Sequence, residues 1–398
     1  MKKTALSLTT PLLLVLSLAG IMGPLGTDLY LPAFPIIVTE FGTTAANVQL
    51  TLTAFTIGMA VGQLVVGSLS DRFGRKPIML IGAVAVALSS AACAIAPSIS
   101  FLVIACGFIG LSTSAGIAVG RAVVADLTTG VQAARSFSLL GLIVGFGPIL
   151  GPIAGAVAML LLGGWRGIFW AFTVFAVIVF FVLLGVPESL PAEKRHGGGL
   201  STMFRSVKVV LGNRTFVVFA ASIWFGFGAM FGYISASAFI VQSVLGMSPL
   251  EYTYVFGGIG IGLMTTGYLT TRLLQIWAAS KIILVGQIQL ITGSLGLLTL
   301  VLIDDMNPAA VIFCLLLIGS SMGFVFGPAS SLAVSEVRQS AGTAMAILGS
   351  VQFVFAGVAA PLVGIAGKTQ VWPFALVSLT FALLAMAAVT VGRRHESR

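Results

Sequence analysis

The chain has 398 residues, of which 58% are hydrophobic and 8% are charged. A soluble domain carries roughly 25% charged residues, so this chain has too few polar side chains to cover a surface that faces water. The net charge of +9 would suit an anionic partner such as nucleic acid, but the distribution of the basic residues gives it another meaning.

Long stretches without charged residues predict membrane-spanning helices. About 20 apolar residues cross the hydrocarbon core, and a helix pairs its own backbone groups, which lipid cannot do. The stretches are continuously apolar, whereas a β-barrel would show alternation. The sequence therefore predicts an all-α integral membrane protein with twelve helices, at residues 8–31, 48–70, 77–96, 100–127, 136–162, 166–187, 215–244, 250–271, 280–303, 308–335, 341–366 and 371–393.

The basic residues predict the orientation of these helices. If the N-terminus is cytoplasmic, 17 of the 20 Lys and Arg residues fall in cytoplasmic segments, as the positive-inside rule requires. We therefore expect a multi-pass protein of the cell membrane with both termini in the cytoplasm. The net charge then reflects topology and contact with lipid, and no nucleic-acid partner is expected.

The first predicted helix ends in Thr27-Asp28-Leu29-Tyr30-Leu31-Pro32-Ala33-Phe34-Pro35. Ten of the eleven Asp and Glu residues lie in predicted loops, the linker, the tail or at helix ends. Asp28 instead falls within a predicted span, toward its outer half. An acidic residue in a span is costly and indicates a function, and burial favours the protonated carboxyl. Asp28 is therefore the predicted proton carrier and could also contact the substrate. The alternative is an Asp at the outer end of a helix.

The loop between the second and third helices reads Gly67-Ser68-Leu69-Ser70-Asp71-Arg72-Phe73-Gly74-Arg75-Lys76-Pro77. Asp71 can pair with Arg75 one turn further on, and Asp126 is the expected second partner of Arg75. The motif resembles the signature G-x-L-[SA]-D-R-x-G-R-[RK] of the major facilitator superfamily. The resemblance implies a major facilitator fold and a cytoplasmic conformational latch, formed by Gly67, Asp71, Arg72, Gly74, Arg75 and Asp126. The alternative is a tight basic loop without this role.

The fifth predicted helix carries Gly147, Pro148, Gly151, Pro152 and Gly155. Proline bends a helix, and the glycines allow a neighbouring helix to approach. The pattern resembles the G-P-x-x-G antiporter motif of drug-exporting facilitators. The alternative interpretation is a kinked helix that serves only packing. The two interpretations do not conflict, because the kink is the feature to which the motif's function is attributed.

The segment from Thr27 to Pro35 resembles the bicyclomycin/chloramphenicol-type (Bcr/CflA) drug–proton antiporters, as do stretches of the fourth and eleventh helices. This resemblance implies export of small apolar drugs by alternating access, driven by the proton gradient without a cofactor or a metal. Two departures leave the proton stoichiometry open: Cys106 stands where relatives usually have Arg, and Gly20 where some have a second acid. Arg121 is interpreted as a residue of the inner interface that supports the loop cluster.

A polar segment divides the chain into predicted units at residues 1–187 and 215–398, joined by a cytoplasmic linker at 188–214. Gly67–Arg72 and Gly267–Arg272 share the pattern Gly-x-Leu-x-x-Arg, which favours a duplicated six-helix bundle. Such repeats place the substrate site at their interface. The candidate substrate contacts are Tyr30, Gln49, Gln63, Trp224, Tyr233 and Gln352.

No motif for catalysis is visible: the chain has no P-loop pattern, and His196 and His395 lie outside the predicted spans. We expect a monomeric transporter of a small molecule and protons, not an enzyme. The main alternative is a facilitator for a metabolite such as a sugar or an amino-acid derivative. A non-transporting receptor or membrane enzyme is disfavoured because the chain has no sizeable soluble domain.

Overall fold

The computed structural model describes residues 8–128, 132, 136, 139–140, 143–191, 195, 207–335, 337 and 341–396. Every regular element in this part of the chain is a helix. About half of the predicted linker and several residues at the beginning of the fifth predicted helix lie outside the described residues.

Seven α-helices form the first half of the described chain. They are α1 (Thr10–Asp28), α2 (Phe34–Glu40), α3 (Ala45–Phe73), α4 (Arg75–Ala94), α5 (Ile99–Leu127), α6 (Gly147–Leu161) and α7 (Trp165–Leu184). The helix predicted at 8–31 ends at Asp28 and is followed by a 3-10 turn at Leu31–Ala33. Pro32 and Pro35 explain this interruption, because neither has an amide hydrogen to donate within a helix.

Seven further α-helices form the second half. They are α8 (Arg214–Ala238), α9 (Pro249–Leu273), α10 (Ala279–Leu302), α11 (Pro308–Ser320), α12 (Met322–Ser335), α13 (Ala341–Val363) and α14 (Trp372–Glu396). A π-helical segment, Phe239–Val244, continues α8. The helix predicted at 308–335 is interrupted at Ser321, and α11 and α12 together occupy that span.

Ten helical segments of the described chain are long and apolar enough to cross a membrane. Two more helices occupy the positions of the fifth and eighth predicted spans. The first, α6, has 15 described residues, and α9 is less apolar because it carries several Gly, Thr and Tyr residues. This arrangement is consistent with twelve predicted helices and identifies a multi-pass membrane protein.

The helices pack in two groups. In the first, α5 lies against α1, α3 and α4, and α7 packs on α4; in the second, α8 lies against α12, α13 and α14, and α10 packs on α11 and α14. The groups meet along two pairs, α3 with α13 and α6 with α9. A cavity lies between the groups.

The two ends of the molecule differ in how the groups meet. At the end predicted to face outward, Gln49 Nε2 donates to the carbonyl of Ser235 at 3.1 Å, and Thr53 Oγ1 donates to the carbonyl of Gly357 at 2.9 Å. Gln242 Nε2 also donates to the carbonyl of Pro32 at 3.0 Å. These bonds join the two groups, so the cavity is closed at this end and reaches the opposite end, which carries the basic loop at Arg75.

Candidate transport site

The cavity between the two helix groups has a volume of about 1290 Å³ and extends from Asp28 to the loop that joins α3 and α4. Its two walls differ in chemistry. The described charged residues that line the cavity all belong to the first helix group; they are Asp28, Asp71, Arg75 and Arg121. The described lining residues of the second group include no charged side chain. The cavity can therefore hold a molecule with an apolar body and a few polar groups.

Asp28 is the last residue of α1 and is buried, with 2% of its surface exposed. Thr27 Oγ1 donates to Asp28 Oδ1 at 2.9 Å, and the described residues place no basic side chain in an ion pair with this carboxylate. Asp28 lines the cavity. It is thus a buried acid at the closed end of the cavity and not a residue of the outer interface.

The glycines of α6 hold this helix against the end of α1. A Cβ atom at Gly147 would lie 2.5 Å from Cβ of Pro24, and one at Gly151 would lie 2.9 Å from Cβ of Asp28. One at Gly155 would lie 1.7 Å from the carbonyl oxygen of Leu29. These three positions are spaced by four residues and share one helix face. The motif therefore brings α6 into backbone contact with the segment that carries Asp28.

The two motif prolines have different places in α6. Pro148 stands in the first turn of the described helix and lines the cavity, a position where a missing amide hydrogen costs little. Pro152 lies inside the helix and is buried. The helix is interrupted by a turn at Phe146, directly before the motif.

The loop motif forms a connected cluster at the basic end. The Arg75 guanidinium donates to Asp71 Oδ1 at 2.5 Å, to Ser70 Oγ at 2.7 Å and to Asp126 Oδ2 at 2.9 Å. Gly74 has a φ of 103°, which glycine adopts without strain, and this turn separates α3 from α4. All these contacts lie within the first helix group.

Glu188 belongs to the same cluster, although the motif gave no sign of it. Its Oε1 accepts from the backbone amide of Arg75 at 2.9 Å, and its Oε2 accepts from that of Lys76 at 3.2 Å. A carboxylate is stabilised at a helix N-terminus because the free amides and the helix dipole both favour negative charge there. Glu188 thereby ties the segment after α7 to the start of α4.

Gly67 and Arg72, two further residues of the motif, take no part in these hydrogen bonds within the described chain. Among the described residues, no packing neighbour lies within 4 Å of the position of a Cβ at Gly67, and this residue lines the cavity. The Arg72 guanidinium lies 5.2 Å from the ring centre of Phe73.

The six candidate substrate contacts fall into two sets. Gln63 and Gln352 line the cavity. Tyr30 is buried and its hydroxyl is 2.8 Å from Thr51 Oγ1, and Gln49 bonds across the closed end. Trp224 and Tyr233 are buried in the second group, away from the described cavity lining. Four of the six therefore belong to packing in this conformation.

A group of aromatic side chains that was not predicted from the sequence forms one wall of the cavity. The Phe227 ring lies 5.9 Å from those of Phe231 and Phe326 and 5.5 Å from that of Phe353, measured between ring centres. All four line the cavity opposite the charged residues. Phe227 and Phe231 are one helical turn apart, which was the one available signal in the sequence.

Cys106 and Gly20 are the two positions at which the sequence departs from the pattern of the family that it was predicted to resemble. Cys106 Sγ lies 3.9 Å from Cys93 Sγ, and both thiols are buried away from the described cavity lining. Gly20 lines the cavity, with Val144 3.0 Å from the position of a Cβ. Neither position supplies a charge, so Asp28 is the buried acid of the first helix group that lines the cavity.

Comparison with known proteins agrees with this architecture. The sequence model of the Major Facilitator Superfamily matches residues 16–361. This chain belongs to that superfamily. As a facilitator, it is a membrane transporter of a small molecule and not an enzyme.

Its curated relatives include proteins named for drug resistance. The chain is 32% identical to the uncharacterized MFS-type transporter YdgK of Bacillus subtilis, over 94% of this chain and 93% of that protein. It is 28% identical to a bicyclomycin resistance protein homolog of Haemophilus influenzae, over 88% of each. It is 27% identical to a chloramphenicol resistance protein of Pseudomonas aeruginosa, over 97% of this chain and 91% of that protein. The predicted resemblance to bicyclomycin/chloramphenicol-type transporters is thus confirmed.

A solved structure shows the same fold. The bacterial homolog of the human lysosomal transporter Spinster, in an inward-facing and unoccupied conformation, matches with a TM-score of 0.77 over 96% of each chain, at 14% identity.

Proposed function

We propose that this facilitator exports small apolar drugs of the chloramphenicol or bicyclomycin type across the cell membrane in exchange for protons. The observation that carries the proposal is the position of Asp28, a buried acid without a basic partner in the described chain, at the closed end of a large, mostly apolar cavity. The names of the drug-resistance relatives support the substrate class.

The chemistry of the exchange follows from the surroundings of Asp28. Burial and a position at the C-terminal end of a helix both disfavour a negative charge. When the cavity faces outward, Asp28 takes up a proton. When it faces the cytoplasm, hydroxyl or amide groups of an entering drug donate hydrogen bonds to the Asp28 carboxylate, which stabilises its charged form, and the proton leaves to the cytoplasm. Each proton that moves inward through a potential of 100 mV contributes about 2.3 kcal/mol.

The cluster at Arg75 controls which end is open. In the observed conformation its bonds stay within the first helix group and with Glu188, and the cavity reaches this end. In the outward-open state, the start of α13 closes toward Asp71, where the positive end of the helix dipole attracts the carboxylate. The basic end is accordingly the cytoplasmic end, and both termini are cytoplasmic.

Drug uptake into everted membrane vesicles tests this proposal. The cytoplasmic face of these vesicles points outward, so export from the cell is measured as uptake into the vesicle. We expect uptake of chloramphenicol to require a proton gradient and to stop when an uncoupler is added. Asp28→Asn removes the titrating group and should abolish gradient-driven uptake, while Asp28→Glu retains part of it. Asp304→Asn, an exposed acid in the loop before α11, is the matched control and should transport normally. Uptake that is insensitive to the uncoupler would rule out proton exchange.

A further inference from the structure

Arg121 is a charged residue within a membrane-spanning helix that the proposed proton exchange does not use. It lies on the face of α5 that also places Ile117, Ala118, Ala122 and Ala125 in the cavity wall. Its side chain is exposed, and the surface it reaches is that of the cavity. A charge inside a span is costly and indicates a function.

The guanidinium of Arg121 has no partner among the described residues. Asp71 and Asp126 are both engaged by Arg75, and the cluster therefore does not include Arg121, contrary to the interpretation from sequence. The described residues of the opposite wall carry no carboxylate. Five N–H donors thus face the cavity with no acceptor supplied by the described protein.

Asp28 cannot serve as the missing partner. The packing of α5 on α1 brings Gly120 next to Leu16, so Arg121 lies near that level. Asp28 is twelve residues further along α1, which corresponds to about 18 Å at 1.5 Å per residue. This separation exceeds the reach of the two side chains. The cavity therefore holds two unpaired groups, an acid at the closed end and a guanidinium toward the basic end.

We propose that Arg121 binds a carboxylate group of the transported molecule, and that the substrates include amphiphilic carboxylic acids whose apolar body lies on the wall formed by Phe227, Phe231, Phe326 and Phe353. The inference rests on the proposed function in that this cavity binds the cargo. A guanidinium offers two parallel N–H donors that match the two oxygens of a carboxylate. The aromatic rings provide the apolar contact on the facing side.

Binding to the purified protein in detergent tests the assignment without a proton gradient. The probes are 1-pyrenebutyrate and its neutral amide, 1-pyrenebutyramide, which differ in charge but little in shape. We expect the native protein to bind the acid about ten- to a hundredfold more tightly than the amide, the range for one charge-assisted hydrogen-bonded contact. Arg121→Gln should remove this preference by weakening only the acid, and Arg121→Lys should retain part of it.

Arg272→Gln is the matched control. Arg272 is exposed at the same end of the molecule, and its guanidinium contacts Tyr268 Oη of its own helix at 2.8 Å, outside the cavity. Removal of this charge should leave the preference unchanged. An excess of 2-naphthoate, a second carboxylic acid with an aromatic body, should displace the acid probe from the native protein.

Two results would overturn the proposal. One is a native protein without a preference for the acid; the other is an Arg121→Gln protein that loses affinity for acid and amide equally, which would indicate a role in shaping the cavity. Efflux that does not depend on the proton gradient would contradict the proposed exchange and leave these binding results unaffected. Conversely, gradient-driven efflux of a neutral drug with no acid preference would contradict the role of Arg121 alone.

Discussion

Replacement of Gly155 by alanine perturbs the contact between α6 and the segment that carries Asp28. The added Cβ would lie 1.7 Å from the carbonyl oxygen of Leu29, whereas ordinary contacts begin at 3.4 Å. The two backbones would have to separate by about 1.7 Å, because neither atom belongs to a flexible side chain. Overpacking of this kind costs roughly 1–3 kcal/mol.

Two other substitutions give the scale for this effect. Gly151→Ala would meet Cβ of Asp28 at 2.9 Å, a milder conflict that shifts the acid itself. Gly258→Ala is the control, since no packing neighbour in the described part of the chain lies within 4 Å of its Cβ position and alanine favours a helix over glycine by about 1 kcal/mol. We expect Gly155→Ala to be about 1–3 kcal/mol less stable than Gly258→Ala, because the helix preference of alanine applies at both positions and cancels. Gly151→Ala should lie in between.

Thermal unfolding in detergent, followed with a thiol-reactive fluorescent dye, measures this order. The chain has three cysteines, and all three are buried and free, so the dye reports exposure of the interior. Drug uptake in everted vesicles should fall in Gly155→Ala and Gly151→Ala and persist in Gly258→Ala. A Gly155→Ala protein as stable as the native one, with full transport, would refute the close contact between α6 and α1.

Three further substitutions test other parts of the account. Asp71→Asn should slow transport several-fold but leave drug affinity unchanged, because Asp71 lies in the latch; a loss of affinity alone would contradict this. Glu188→Gln should lower stability by about 1–2 kcal/mol in the dye assay, because the start of α4 loses a charged acceptor; unchanged stability would show that water replaces it. Phe353→Ala should weaken binding of an aromatic drug about tenfold, the effect of one lost aromatic contact, and equal affinity would place the drug elsewhere.

The sequence allowed prediction of the elements that depend on local pattern. Charge-free stretches located the helices because lipid excludes unpaired charge. The pairs of Arg75 with Asp71 and Asp126 followed from helical spacing and a specific motif. Breaks such as the one after Asp28 were missed, since an apolar run hides a change in backbone geometry.

The candidate site was less predictable because it depends on which face of each helix meets the cavity. Tyr30 and Gln49 are polar residues in spans, yet they bond within the packed structure, whereas Phe353 and Arg121 line the cavity. Glu188 joins the cluster across more than 100 positions of sequence, a contact that no local pattern encodes. A single acid within the spans was predictable, because its cost in lipid makes Asp28 conspicuous.

Proton release on drug binding tests the central role of Asp28 most directly. Purified protein in weakly buffered detergent solution is mixed with a neutral drug, such as chloramphenicol, and the released protons are counted with a pH indicator. We predict that the native protein releases up to one proton per drug molecule bound, and that Asp28→Asn binds the drug without release. Equal proton release from Asp28→Asn and the native protein would contradict the account.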